Sequence, residues 1–304
     1  MKIAKPFVKW AGGKTQLIDE IDNVIPCYFK QNRFTYIEPF VGGGSVLFWI
    51  LQKYPVREAI INDINADLIN SYNIIKENVE DLISILKVWE KQYHSLADKP
   101  ELKNKYYYLK RQQFNTRKSE RIVHAALFIF LNRTCFNGLY RVNSKNEFNV
   151  PIGSYKKPMI CDEENLRLVS QLLKKVTILQ GDFEETLKFA KKDTLFYFDP
   201  PYRPLNDTSN FNSYTQNGFD DKEQIRLRNF CKKIDELGHK WILSNSDVKN
   251  INSNDNFFDD LYENFCIKRV LARRNINSNP NKRGELTELL ITNNTYEKIM
   301  SIAK

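Results

Sequence analysis

The sequence predicts an α/β fold, a doubly wound and mostly parallel sheet that carries a largely helical insert. Three observations lead there. A strand, a glycine cluster and an apolar helix follow one another between Tyr36 and Leu51 and lead into a second strand ending at Asp63. Strand-like apolar runs separated by helices resume near Val176. The stretch between is helical, basic and rich in aromatic residues.

Taken in order, Tyr36 to Pro39 closes the first strand, Ser45 to Leu51 is the helix opened by the glycines, and Ala59 to Asp63 is the second strand. Together they form a β-α-β unit. Helical patterning covers Ala66 to Glu90 and Glu101 to Asn132, and the Gly/Asn-studded segment Asn137 to Tyr155 reads as a hairpin or an extended loop. Val176 to Leu179 and Thr194 to Phe198 are strand-like with a helix, Glu184 to Lys191, between them, and Lys240 to Ser244 follows a further helix. The Asn-rich stretches 250–256 and 275–281 read as loops. Residues 1–66 and 161–304 therefore make one discontinuous α/β domain, and residues 67–160 are inserted into it.

The 304 residues, 42% hydrophobic and 27% charged, describe a globular chain rather than a disordered one. Its formal charge is +9, and residues 101–157 alone hold twelve Lys or Arg against Glu101, Glu120 and Glu147, so the whole excess sits there. Ten aromatic residues share that stretch, a mixture suited to phosphates and bases. A solvated helix face beside core aromatics is the plain alternative. Five scattered cysteines and three histidines without ligand spacing indicate neither a disulfide framework nor a metal site. His124, on the apolar face of Ala125 to Phe128, reads as a core residue. The start MKIAKPFVKWAGGK lacks the apolar centre of a signal peptide, and no run reaches the eighteen apolar residues of a membrane span, so a cytoplasmic protein with reduced thiols and no membrane partner is expected.

Three segments carry chemistry. In Glu38-Pro39-Phe40-Val41-Gly42-Gly43-Gly44-Ser45, glycines at a strand-to-helix turn let backbone approach a ligand at the open end of a sheet. Asp63 closes the next strand 19 residues after Gly44, the spacing at which a carboxylate accepts from ribose hydroxyls, and the pair implies an adenosine-containing cofactor. Gly12-Gly13-Lys14-Thr15 is not a P-loop, because Val8 stands where the motif needs its first glycine; it reads as a loop presenting Trp10 and Lys14 to a ligand. Asp199-Pro200-Pro201-Tyr202 follows an apolar strand directly. Prolines fix the turn, so the Asp199 carboxylate and the Pro200 carbonyl become two acceptors in one geometry, which matches an exocyclic NH₂. Tyr202 would stack on a base swung out of its duplex.

In this order the segments resemble the S-adenosylmethionine-dependent DNA adenine methyltransferases of the Dam type, which share KWAGGK, EPFxGxGS and DPPY. Phe130 to Arg133, Phe136 to Arg141 and Phe148 to Pro158 resemble that family's target-recognition segment, so the likeness covers most of the chain. It implies a Rossmann-like methyltransferase domain with an inserted DNA-recognition domain, acting on the N6 amino group of a flipped adenine in double-stranded DNA at GATC or a related site. Trp10, Lys14, Phe40, Gly42, Gly44, Asp63, Asp182, Phe183 and Asp199 would hold S-adenosylmethionine. Asp199, Pro200, Pro201 and Tyr202 would be catalytic, with no metal. Lys9 and Arg141 would read base edges, Phe136 would wedge into the stack, and Asn137 and Tyr155 would hold the opened site. Asn146 and Ser154 depart from the family's frequent Gly and Arg, which touches specificity rather than chemistry. The C-terminal Arg273-Arg274, Lys282-Arg283 and the stretch Glu285 to Asn293 resemble the family's last loop and strand, which implies a phosphate-contacting arm, with a solvated tail loop as the plain alternative. A cognate restriction endonuclease encoded nearby is a candidate companion, and a monomer or weak dimer is the expected state. The competing readings are a catalytically silent DNA-binding protein on the same fold, a methyltransferase for another adenine-containing or amide substrate, and a nicotinamide dehydrogenase, which leaves DPPY and the basic insert without a role.

Overall fold

Short apolar runs that bury both faces are the sequence form of central parallel strands, and such runs build the middle of this molecule. The computed structural model describes residues 2–203, 219–273 and 285–293. Its seven strands are β1 (Phe34–Glu38), β2 (Val56–Asp63), β3 (Val176–Gln180), β4 (Thr194–Phe198), β5 (Lys240–Ser246), β6 (Cys266–Arg273) and β7 (Glu285–Thr292). They lie in the order β3-β2-β1-β4-β5-β7-β6. The first five are mutually parallel, and β7 runs antiparallel between β5 and β6. Sheet order reverses between β1 and β4, which places a ligand crevice outside the carboxyl ends of those two strands. The alternating α/β pattern is therefore a doubly wound sheet with an antiparallel edge pair.

Side chains alternate strictly across that sheet. Tyr36, Ile61, Leu195, Tyr197 and Ile242 face one apolar cluster, while Ile37, Ile60, Phe196, Phe198 and Leu243 face the other. The helices are α1 (Ile18–Val24), α2 (Cys27–Gln31), α3 (Ser45–Lys53), α4 (Ala66–Glu77), α5 (Val79–Ser95), α6 (Pro100–Asn115), α7 (Arg121–Thr134), α8 (Glu163–Leu173), α9 (Asp221–Glu236) and α10 (Phe257–Leu261). The first cluster runs without a break from the sheet into α3 to α8 and the second lies under α9 and α10. No described helix is long and apolar enough to cross a membrane.

Three elements differ from the sequence expectation. The helical run from Ala66 is two helices, because Asn78 sits at φ −136°, ψ 43° and ends α4. The run from Glu101 is broken after α6, where Arg117 takes φ 56°. The expected helix Glu184 to Lys191 is a 3-10 helix, Phe183–Phe189, started by Asp182, whose side chain accepts from Glu184 N. The segment Asn137 to Tyr155 is a hairpin-like loop closed by two isolated bridges, Cys135 to Ile152 and Val142 to Phe148. Its turn forms with Asn146 at φ 59°, a left-handed position that asparagine tolerates better than most residues. Residues 251–256 are irregular as expected, whereas 275–281 and the side chains of Arg273, Arg274, Lys282 and Arg283 lie outside the described residues.

Candidate active site

β4 delivers Asp199 to the crevice, and the chain from Asp199 to Tyr202 turns at the rim. The Pro201 carbonyl accepts from Gln224 Nε2 of α9 at 3.3 Å, and the fully buried Gln224 accepts in turn from Asn245. Lys14, at the start of a 3-10 turn (Lys14–Leu17), is only 3% exposed, and its Nζ lies 3.0 Å from Asp199 Oδ1 and 3.2 Å from Glu288 Oε2. It also donates to Tyr202 Oη at 2.5 Å, and that hydroxyl lies 3.3 Å from Glu288 Oε2. Burial pulls the Lys14 ammonium down, but Asp199, Tyr202 and Glu288 together hold its pKa above the ordinary lysine value. Burial raises the pKa of Asp199 above the carboxylate value, with Lys14 pulling the other way. Ser244 Oγ of β5 also reaches Asp199 Oδ1, at 3.3 Å. Among the described residues these contacts all fall on Oδ1. Neither Asp199 Oδ2 nor the Pro200 carbonyl has a described donor, so both keep their capacity to accept.

Beside it, the glycine turn leaves β1 and caps α3. Gly42 and Gly44 have φ +47° and +77°, and a Cβ on Gly42 would stand 2.9 Å from the Trp10 ring. Gly42 N donates to Asp63 Oδ2 at 3.0 Å and Asn65 N to Oδ1 at 2.9 Å. Burial raises the pKa of Asp63, while those backbone donors oppose the rise. Each carboxylate oxygen keeps a lone pair for a further donor such as a ribose hydroxyl. Asn62, 2% exposed, ties the ends of β1 and β3 together by donating to the carbonyls of Pro39 and Gly181, 3.0 Å each. Asp182 sits there, its carboxylate bound by Arg226 at 2.7 Å. The rings of Phe40, Phe183 and Phe219 meet next to it, Phe40 to Phe183 at 5.2 Å and Phe40 to Phe219 at 5.6 Å. A carboxylate at the end of β2, a close-approach turn and an aromatic wall fit an adenosine moiety. Trp10 lies over the glycine turn and stacks on Tyr140 at 5.6 Å.

The sites expected to meet DNA gather on the hairpin side. The backbone of Lys9 is clamped by Asn132, donor and acceptor both at 2.8 Å, and Asn132 also donates to the Gly138 carbonyl. Lys9 Nζ reaches Tyr155 Oη at 3.3 Å, and Phe136 is 51% exposed beside Asn137, which takes φ 54°. These four residues are brought together. Arg141 lies in the hairpin, its Nε donating to Asn149 Oδ1 at 2.8 Å, and no described contact joins it to those four. The basic segment is not all outward-facing: Lys103 donates to the carbonyls of Tyr155 and Lys156, Arg111 to that of Val150 and Arg133 to that of Phe7. Lys105, Lys118, Lys145, Lys156 and Lys157 remain exposed.

Sequence reasoning missed Glu288, Ser244, Asn62 and Asp67. Glu288 carries a faint signal, an acid directly before the apolar Leu289-Leu290-Ile291 of β7. Asp67 of α4 accepts from Arg117, from Tyr140 Oη at 2.7 Å and from His124 Nε2 at 2.8 Å. Arg117 also holds the Asn146 carbonyl, so one carboxylate links the hairpin to the Trp10–Tyr140 stack over the glycine turn. His124 stacks on Phe114 at 4.5 Å, a packed residue with a polar partner.

Residues 10–276 match the family model of the D12 class N6 adenine-specific DNA methyltransferase. The chain is 50% identical to the Type II methyltransferase M.MjaIII of Methanocaldococcus jannaschii, over 95% of this chain and 99% of that protein. It is 40% identical to the DNA adenine methylase of Haemophilus influenzae, over 94% and 92% of the two chains. With the DNA adenine methylase of Escherichia coli it shares 32% identity, over 95% of each.

Proposed function

Because the chain belongs to the D12 class of N6 adenine-specific DNA methyltransferases, we propose that it moves a methyl group from S-adenosylmethionine to N6 of an adenine flipped out of duplex DNA, at GATC or a related site. The observation that carries this reading is the pair of acceptors at Asp199 Oδ2 and the Pro200 carbonyl, held at the switch point beside the glycine turn and Asp63.

The amino nitrogen of adenine is a poor nucleophile because its lone pair is delocalised into the ring. Donating both protons to two fixed acceptors draws it toward a tetrahedral shape and frees that lone pair, an electrostatic effect that requires no reorganisation at the moment of reaction. When bound, S-adenosylmethionine supplies an electrophilic methyl on a sulfonium. Asp199 stabilises the positive charge that grows on N6 and receives the proton that N6 sheds. Tyr202 offers a ring face for the extruded base, worth about 1–3 kcal/mol against an extrusion cost of a few. The Gly42 and Gly44 backbone, Asp63, Asp182 and the wall of Phe40 and Phe183 hold the nucleoside, with Trp10 and Lys14 in the same pocket. Lys9, Phe136, Asn137, Arg141 and Tyr155 engage the duplex. Residues 1–66 and 161–304 carry transfer, and residues 67–160 carry recognition. The protein would work in the cytoplasm as a monomer or weak dimer, with or without a cognate endonuclease.

The test is transfer of tritiated methyl from S-adenosylmethionine to duplexes with and without GATC, read at adenine. Asp199→Ala abolishes incorporation and spares duplex binding. Duplex binding by the wild-type chain with no labelled adenine on any duplex refutes the reading, and so does normal turnover by Asp199→Ala.

A further inference from the structure

The ammonium of Lys14 has three protons and meets three acceptors: Tyr202 Oη at 2.5 Å, Asp199 Oδ1 at 3.0 Å and Glu288 Oε2 at 3.2 Å. Glu288 reaches this point because β7 is antiparallel. Its register pairs Glu288 with Ser246, the last residue of β5, so the beginning of β7 lies at the rim where the parallel strands end. The carboxylate is itself largely buried, at 22% exposure. The trio of Asp199, Glu288 and Lys14 carries one net negative charge in a site that must accept a cationic cofactor and a nitrogen becoming positive.

We propose that Glu288 is a positioning residue for methyl transfer: by sharing the Lys14 ammonium it holds that lysine on Oδ1 of Asp199 and leaves Oδ2 to the target amino group. The inference rests on the reading of Asp199 given above. Without the Glu288 charge, Lys14 neutralises Asp199 alone and is free to straddle both of its oxygens. The acceptor facing the amine is then lost, and the stabilisation of positive charge on N6 falls with it. Glu288 meets the pocket through Lys14 and Tyr202, while neither the glycine turn nor the hairpin touches it in the described contacts, so its loss is expected in the rate more than in binding.

The experiment measures kcat, KM for S-adenosylmethionine and for a duplex substrate, and the melting temperature, for Glu288→Gln and Glu288→Asp. The glutamine keeps one oxygen acceptor at the same reach, removes the charge and exchanges the other oxygen for a donating NH₂; the aspartate keeps the charge. We expect Glu288→Gln to lower kcat about 10- to 100-fold, with both KM values within about threefold and 2-aminopurine fluorescence still reporting an extruded base. Glu288→Asp retains more of the rate than Glu288→Gln. A Glu288→Gln enzyme with kcat within twofold of wild type overturns the proposal, as do equal losses in the two variants or a loss seen in KM alone. If instead Asp199→Ala turns over normally, the reading of Asp199 fails first, so the two failures are distinguishable.

Discussion

Gly44 is the position where backbone strain and packing can be separated by measurement. Its φ of +77° disfavours an L side chain, and an alanine Cβ there would stand 2.5 Å from Tyr72 Oη and 2.9 Å from Phe48 Cε2. The left-handed conformation costs alanine about 1–2 kcal/mol. Forcing a methyl into a packed site costs about 1–3 kcal/mol more, so Gly44→Ala should lose about 2–5 kcal/mol in all. Tyr72→Phe removes the nearer obstacle together with the bond from Tyr72 Oη to the Gly42 carbonyl at 3.0 Å, at about 1 kcal/mol. In that background Gly44→Ala should cost at least about 1 kcal/mol less than it does alone, a coupling expected of residues in direct contact. Phe48 and the φ angle still oppose it. Urea unfolding of the four proteins, with slopes checked for constancy, gives the cycle. A loss below about 0.5 kcal/mol for the single variant, or strict additivity in the double, refutes the account of this turn.

Glu38, fully buried, has a pKa well above the carboxylate range because burial raises it and the neighbouring Asp199 and Asp63 charges add to that, against a hydrogen bond from Tyr36. The folded protein therefore keeps a proton that the unfolded chain gives up. Glu38 makes stability fall as pH rises from its unfolded pKa toward its raised folded value, and Glu38→Gln should flatten that slope by up to about 1.4 kcal/mol per pH unit. Denaturation midpoints of both proteins at several pH values check it, and an unchanged slope counts against a neutral Glu38. Arg141→Ala should relax discrimination at one base pair by about 1–3 kcal/mol, read by sequencing the methylated adenines; an unaltered set of methylated sequences removes Arg141 from the readers. Tyr202→Ala should weaken capture of the extruded base, visible as reduced 2-aminopurine fluorescence, and fluorescence equal to wild type would leave Tyr202 without that task.

Much of the fold can be read locally. Each of β1 to β5 is announced by an apolar run, and the glycine turn, Asp63 and Asp199 to Tyr202 are contiguous or regularly spaced along the chain. Helix interruptions were less legible: α4 and α5 are separated by Asn78 alone, and residues 116–120, between α6 and α7, lie between two helical patterns that sequence periodicity joins. The basic segment misled in part. Charge alone does not distinguish a lysine that faces phosphate from Lys103, whose ammonium is spent on two carbonyls of its own chain.

By itself the sequence determined the fold class, the family resemblance and the place of the Asp199 to Tyr202 turn after its strand, because periodicity, glycine and proline act within a few residues of where they stand. Only the tertiary structure decided what surrounds Asp199. Lys14, Ser244 and Glu288 come from distant parts of the chain and converge on the same rim. That convergence follows from the parallel order of β1, β4 and β5 and the antiparallel entry of β7. Electrostatic partnership depends on distance in space, and no local pattern records which charges a sheet's topology will bring within hydrogen-bonding reach of one another.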